Sequence, residues 1–139
     1  MAESGNLMSR PPHQLVLDSG AIIGLARRDE RARSVLRAAM EAGVEVFVPA
    51  VVLAETVRGR ANDAPVNQVI KAVGRVLSVN ETTGRLAGRL LREANSAETV
   101  DALVVASTIE AGGGILLTGD PADIRPLAER NPEVQVQSL

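Results

Sequence analysis

Acidic residues recur in this chain at the margins of apolar runs, where oxygen-ligand chemistry would need them. Asp18 closes the run Leu15-Val16-Leu17, Glu55 lies inside VVLAETVRG, Asp101 opens the apolar stretch of TVDALVVA, and Asp120 and Asp123 follow Leu116-Leu117-Thr118. Each alone has a structural use. Asp18 is a good helix cap, and Glu55 has Arg58 one turn on as an ion-pair partner. Asp101 suits the positive end of a helix dipole, and Asp120 and Asp123, with Pro121 between them, suit a helix start. Together they mean more. In a parallel α/β fold the carboxyl ends of the strands converge on one crevice. Two carboxylates about 5 Å apart, at an effective dielectric of about 20, repel by roughly 3 kcal/mol. Several such pairs are a large part of a typical stability of about 5–15 kcal/mol. A bound cation resolves the conflict, and an all-oxygen ligand set favours Mg²⁺ or Mn²⁺. The chemistry expected of such a centre is metal-dependent phosphodiester hydrolysis.

The elements that must position these acids follow from apolar periodicity. Residues 15–17 predict a strand buried on both faces, followed by a short helix through Ile22, Ile23 and Leu25. Asp29 predicts the cap of a second helix that buries Val35, Leu36, Ala39 and Met40 and stops at Gly43. A strand over 44–48 leads through Pro49, suited to a first helical turn, into a helix that runs to about Arg58 and ends at Gly59. After the break at 62–65, Val66, Val69, Ile70 and Val73 fall at helical spacing. A short strand is expected over 75–79, then a helix capped by Asn80 with Leu86, Leu90 and Leu91 inward and Arg85, Arg89 and Arg92 outward. Ser96 or Thr99 opens the next helix, which stops near 112–114. A strand over 115–117, a short helix over 123–130 and an edge strand over 134–136 complete the chain. About five strands alternating with about seven helices predict a three-layer α/β domain with a mainly parallel five-stranded sheet and right-handed crossovers. Its expected bounds are residues 14–139, with 1–13 as a flexible N-terminal tail.

Composition narrows the options. A chain of 139 residues with 45% hydrophobic and 23% charged content suits one globular domain. No cysteine is present, so disulfides and thiolate metal sites are excluded, and the only histidine, His13, cannot make a His-rich zinc site. Phe47 is the only aromatic residue, which argues against a platform for stacking bases. The net charge is −2, yet every basic residue except Lys71 is arginine, the better bidentate partner for phosphate. Arg27, Arg28 and Arg58 are the arginines expected to position phosphates. No stretch reads as membrane-spanning or as a secretory leader, so a soluble cytoplasmic protein is expected. The run Gly112-Gly113-Gly114 precedes a strand and does not link one to a helix, so it reads as a helix stop and not a dinucleotide loop.

In order and context, LVLDSG, VPAVVLAETVRG, TVDALVVA and LLTGDPADI resemble the PIN-domain nucleases, particularly the VapC-type ribonuclease toxins of bacterial toxin–antitoxin pairs. The resemblance runs from about Gln14 to the C-terminus. It implies a PIN-like fold in which Asp18, Glu55 and Asp101 match the first three acids of a metal site, and Asp120 and Asp123 match its last motif. Ser19 and Thr118 match the small hydroxyl residues that accompany them. It further implies hydrolysis of RNA with Mg²⁺ or Mn²⁺, a homodimer, and inhibition by a small antitoxin that enters the active-site groove. Two positions depart from the pattern: Gly119 stands where a polar residue is common, and Ile124 where an aromatic one is. A phosphatase of the haloacid dehalogenase type also begins from a strand-end Asp, but it needs an acid where Gly20 stands and a better-placed lysine than Lys71. A catalytically silent PIN-like domain kept for protein binding is the other alternative, and the complete acid set argues against it.

Overall fold

The two central strands are the most apolar short runs in the chain. β1 (Gln14–Leu17) and β4 (Gly114–Thr118) pair in parallel, and Leu15, Val16, Leu17, Leu116 and Leu117 are withdrawn from solvent. Continuous apolar runs are what a strand covered on both faces requires. In this computed structural model, which describes residues 14–73 and 75–139, β2 (Glu45–Pro49) lies beside β1 and β3 (Val76–Leu77) beside β2, while β5 (Val134–Ser138) pairs with β4. The order is β3-β2-β1-β4-β5 and every pairing is parallel, so the sheet expected to be mainly parallel is wholly so.

Seven α-helices connect the strands among the described residues: α1 (Ser19–Ala26), α2 (Glu30–Glu41), α3 (Ala50–Thr56), α4 (Ala64–Val73), α5 (Glu81–Ala94), α6 (Thr99–Glu110) and α7 (Pro121–Ala128). Helices α1, α2 and α4 form one layer with β2, α5, α6 and α7 form the other, and α3 touches both α1 and α6. Local chemistry sets the helix starts. Asp29 accepts from the Ala32 N–H at 3.0 Å, and Asn80 accepts from the Thr83 N–H at 3.1 Å, as their cap roles predict. Helix α6 is apolar nearly all round, with Ala102, Val104, Val105 and Ala106 fully buried, because it lies under the sheet between α5 and α7. No helix of the described residues is long and apolar enough to cross a membrane.

Several expected boundaries move, each for a local reason. Met40 is 64% exposed, since the inward face of α2 is carried by Ala32 with Val35, Leu36 and Ala39 partly buried behind it. Pro49 is the last residue of β2 and the N-cap of α3, one step earlier than a first-turn proline. Helix α3 stops at Thr56, because Val57 turns extended and the N–H groups of Arg58 and Arg60 are taken by the Asp63 carboxylate at 2.8 and 2.9 Å. β3 spans two residues only: its partner β2 ends at Pro49, where α3 begins. Helix α7 begins at Pro121 and ends at Ala128, earlier than expected at both ends. The glycine run is more than a helix stop. A Cβ on Gly114, whose φ is +123°, would collide with the Gln14 carbonyl, so glycine is what lets β4 start against β1. The expected tail, with His13, lies outside the described residues.

Candidate metal centre

The chain adds β2 and β3 on one side of β1, then β4 and β5 on the other. The order reverses between β1 and β4, and the crevice beyond their carboxyl ends is where open α/β sheets bind ligands. Asp18 leaves β1 at that point and is 3% exposed. Its Oδ1 accepts from the Ser19 N–H at 2.7 Å, and its Oδ2 accepts from the Thr118 hydroxyl, at the end of β4, also at 2.7 Å. The same Thr118 oxygen accepts the Asp120 N–H at 2.9 Å. Thr118 therefore ties the first acid to the loop that carries the last ones. That loop also approaches the first turn of α1 closely: a Cβ on Gly20 would stand 3.0 Å from the Gly119 nitrogen. Gly20 is thus what lets the two acid-bearing loops approach, since a Cβ there would press on the Gly119 backbone, whereas a Cβ on Gly119 would meet only ordinary contacts.

Asp101 projects from the first turn of α6 into the same crevice. Burial, followed by the charges of Asp18, Asp120, Asp123 and Glu98, pushes its pKa up to about 7. The Asp120 pKa is also raised, first by burial and then by its hydrogen bond with Asp123 and by the charges of Asp123, Asp18 and Glu98. Glu55 sits exposed on α3, and not enclosed by the apolar residues around it in sequence. Its pKa is raised by partial burial and by Asp18, while Ser19 and Arg58 pull it back. The five predicted acids are therefore electrostatic neighbours. One acid outside the expected set joins them. Carboxylate oxygens of Glu98, Asp101 and Asp123 lie within 4.8 Å of one another. Glu98 is the N-cap of α6, three residues before Asp101, and in the sequence it looks like any acid at a helix entrance.

Among the described residues no arginine forms an ion pair with this group, and only Arg58 acts on it, through Glu55. The ion pairs of the described residues are Arg75–Glu45, Arg85–Glu81 and Arg130–Glu93, all elsewhere. Of the expected phosphate-positioning residues, Arg58 is beside Glu55, with Nη2 3.5 Å from the Glu55 carbonyl. Arg27 and Arg28 follow the far end of α1, about 12 Å along its axis from Ser19 at about 1.5 Å per residue. The donor set is all oxygen, and opposite ligands of a Mg²⁺ ion with bonds of about 2.1 Å stand about 4.2 Å apart. The carboxylate oxygens of Glu98, Asp101 and Asp123, within 4.8 Å of one another, come near that separation, so these residues fit a hard divalent cation.

The PIN domain family profile matches residues 15–128. The chain belongs to the PIN domain family. Solved structures of similar fold include FitAB bound to an IR36 DNA fragment, with a TM-score of 0.67 at 17% identity over 89% of this chain and 94% of that one. VapBC2 from Rickettsia felis, bound to a DNA fragment from their promoter, gives a TM-score of 0.70 at 12% identity over 91% and 98%. VapBC-1 from nontypeable Haemophilus influenzae gives 0.63 at 14% over 90% and 97%. No curated protein sequence matches the chain. The departures at Gly119 and Ile124 leave the PIN domain's architecture unaltered: Gly119 meets Gly20, and Ile124 is fully buried in α7.

Proposed function

We propose that this PIN domain is a Mg²⁺- or Mn²⁺-dependent endoribonuclease and the toxin of a type II toxin–antitoxin pair. The observation that carries the reading is Asp101, held at a pKa of about 7 by burial and four other carboxylates, with no arginine among the described residues in ion-pair contact. A divalent ion bound there would activate water and offset the charge that builds at phosphorus. Asp18 and Asp101 are the principal ligands in this proposal, with Glu55 ligating or orienting water, and Asp120 and Asp123 on the side where a second ion would enter. Thr118 and Ser19 act through the acids: the Thr118 hydroxyl and the Ser19 N–H use one lone pair on each Asp18 oxygen, leaving the others for the ion. Arg58 positions a phosphate near Glu55. The VapBC and FitAB structures of similar fold support a small protein antitoxin as partner; a cytoplasmic homodimer is the working form in this proposal.

The test is cleavage of total RNA by the purified protein in Mn²⁺, in EDTA, and as the Asp101→Asn variant. Cleavage in Mn²⁺ alone, absent in both other lanes, is expected. Cleavage that survives EDTA and the substitution would refute the assignment.

A further inference from the structure

Arg31, in the first turn of α2, donates from Nη2 to the Ser138 carbonyl oxygen at 3.2 Å, a contact between positions 107 residues apart. Ser138 is the last residue of β5 and stands in register with Thr118 of β4, whose hydroxyl holds Asp18. Neighbouring strands are about 4.8 Å apart, so the anchor point of Arg31 is roughly 10 Å from Asp18 on the β5 side. Arg58 lies next to Glu55.

Arg31, like Arg58, is tied to a main-chain carbonyl and not to a carboxylate. Arg75, Arg85 and Arg130 are paired with glutamates that cancel their charge. A main-chain carbonyl orients a guanidinium without neutralising it, and leaves its remaining donors for an anion. An acidic crevice that cuts a phosphodiester must hold a strand whose flanking phosphates it repels, so cations are needed beside it and not within it.

We propose that Arg31 is a phosphate-anchoring residue for a substrate strand that runs from the acids around Asp18 toward the end of β5. The proposal rests on the nuclease reading above. It makes Arg31 a substrate-positioning residue whose charge matters separately from its tie to β5.

The experiment is the binding of a labelled single-stranded RNA to the Asp101→Asn protein in EDTA across a salt series, repeated with Arg31→Ala and Arg31→Gln added. Glutamine keeps a donor for the Ser138 carbonyl and removes the charge. Both additions should weaken binding to unrelated RNA sequences alike and reduce the slope of log K against log salt by about 0.7, the value for one lost contact on a single strand. Arg31→Lys should retain the slope. An unchanged slope and affinity in Arg31→Gln, with only a lowered Tm, would overturn the proposal and leave Arg31 as a tie between α2 and β5. If the Asp101→Asn protein with Arg31 intact binds no RNA at any salt, the nuclease reading falls and takes this proposal with it.

Discussion

Asp63 and Asp101 are two aspartates in one small fold, and their surroundings treat them in opposite ways. The Asp63 carboxylate sits in the loop between α3 and α4 and accepts from the N–H groups of Arg58 and Arg60. Those bonds hold its pKa below the ordinary value of 3.8. Asp101 faces other carboxylates, and its pKa stands at about 7. A carboxylate answered by donors is part of the scaffold. A carboxylate answered by more carboxylates is a group arranged for something that arrives from outside, and the fold carries the cost of holding it ready.

Substitution separates the two most strongly. Asp101→Asn should bring RNA cleavage down to the level seen in EDTA. Asp63→Asn should leave cleavage per folded molecule unchanged and lower Tm, because two backbone N–H groups lose their carboxylate; gel assays alongside melting curves check both. A large loss of cleavage in Asp63→Asn at intact fold would break the contrast. Thr118→Val comes next. It removes the donor on Asp18 and the acceptor for the Asp120 N–H, and should cost about 10–100-fold in metal affinity or activity, the usual toll for a residue that orients a ligand. Metal titration of the variant reads this directly.

The pH response is smaller and of opposite sign at the two sites. Asp101 holds its proton more tightly folded than unfolded, so the metal-free protein should lose stability as pH rises from about 4 to about 7 and then level off. Asp63 has a lowered folded pKa, so its contribution is present above 3.8 and is lost as pH falls through the lower folded value. Urea unfolding across pH should show both limbs. Asp101→Asn should flatten the first and Asp63→Asn the second; a first limb unchanged in Asp101→Asn would mean the neighbouring acids do not act on it.

The physics that makes a feature strong also makes it readable. β1 and β4 are plain in the sequence because strands buried on both faces must be apolar throughout, and an acid ending such a run has few places to go. Asp101 is readable for the same reason, as a charge opening a helix that is otherwise apolar. Glu98 is not, because an exposed acid among Ser96, Ala97 and Thr99 looks like any helix entrance; only the fold brings it to Asp123. Arg31 is hidden too, since its contact with Ser138 depends on α2 and β5 meeting across the sheet. Asp63 is hidden in a different way: in Asn62-Asp63-Ala64-Pro65 it reads as part of a chain break, and its grip on Arg58 and Arg60 is what ends α3 early. Met40 continues the helical spacing of Val35, Leu36 and Ala39, but spacing cannot tell where the core stops.

The most direct test of the central claim is the thermal stability of the wild type against Asp101→Asn at pH 8, in EDTA and in saturating Mg²⁺. In EDTA the variant should melt higher, because a neutral amide relieves the repulsion around Asp101. Mg²⁺ should raise the wild type by the linkage of binding to folding, about 2.7 kcal/mol at one hundred times Kd, and the variant by much less. A variant that melts lower than the wild type in EDTA, together with a wild type indifferent to Mg²⁺, would make Asp101 a structural residue and contradict the account.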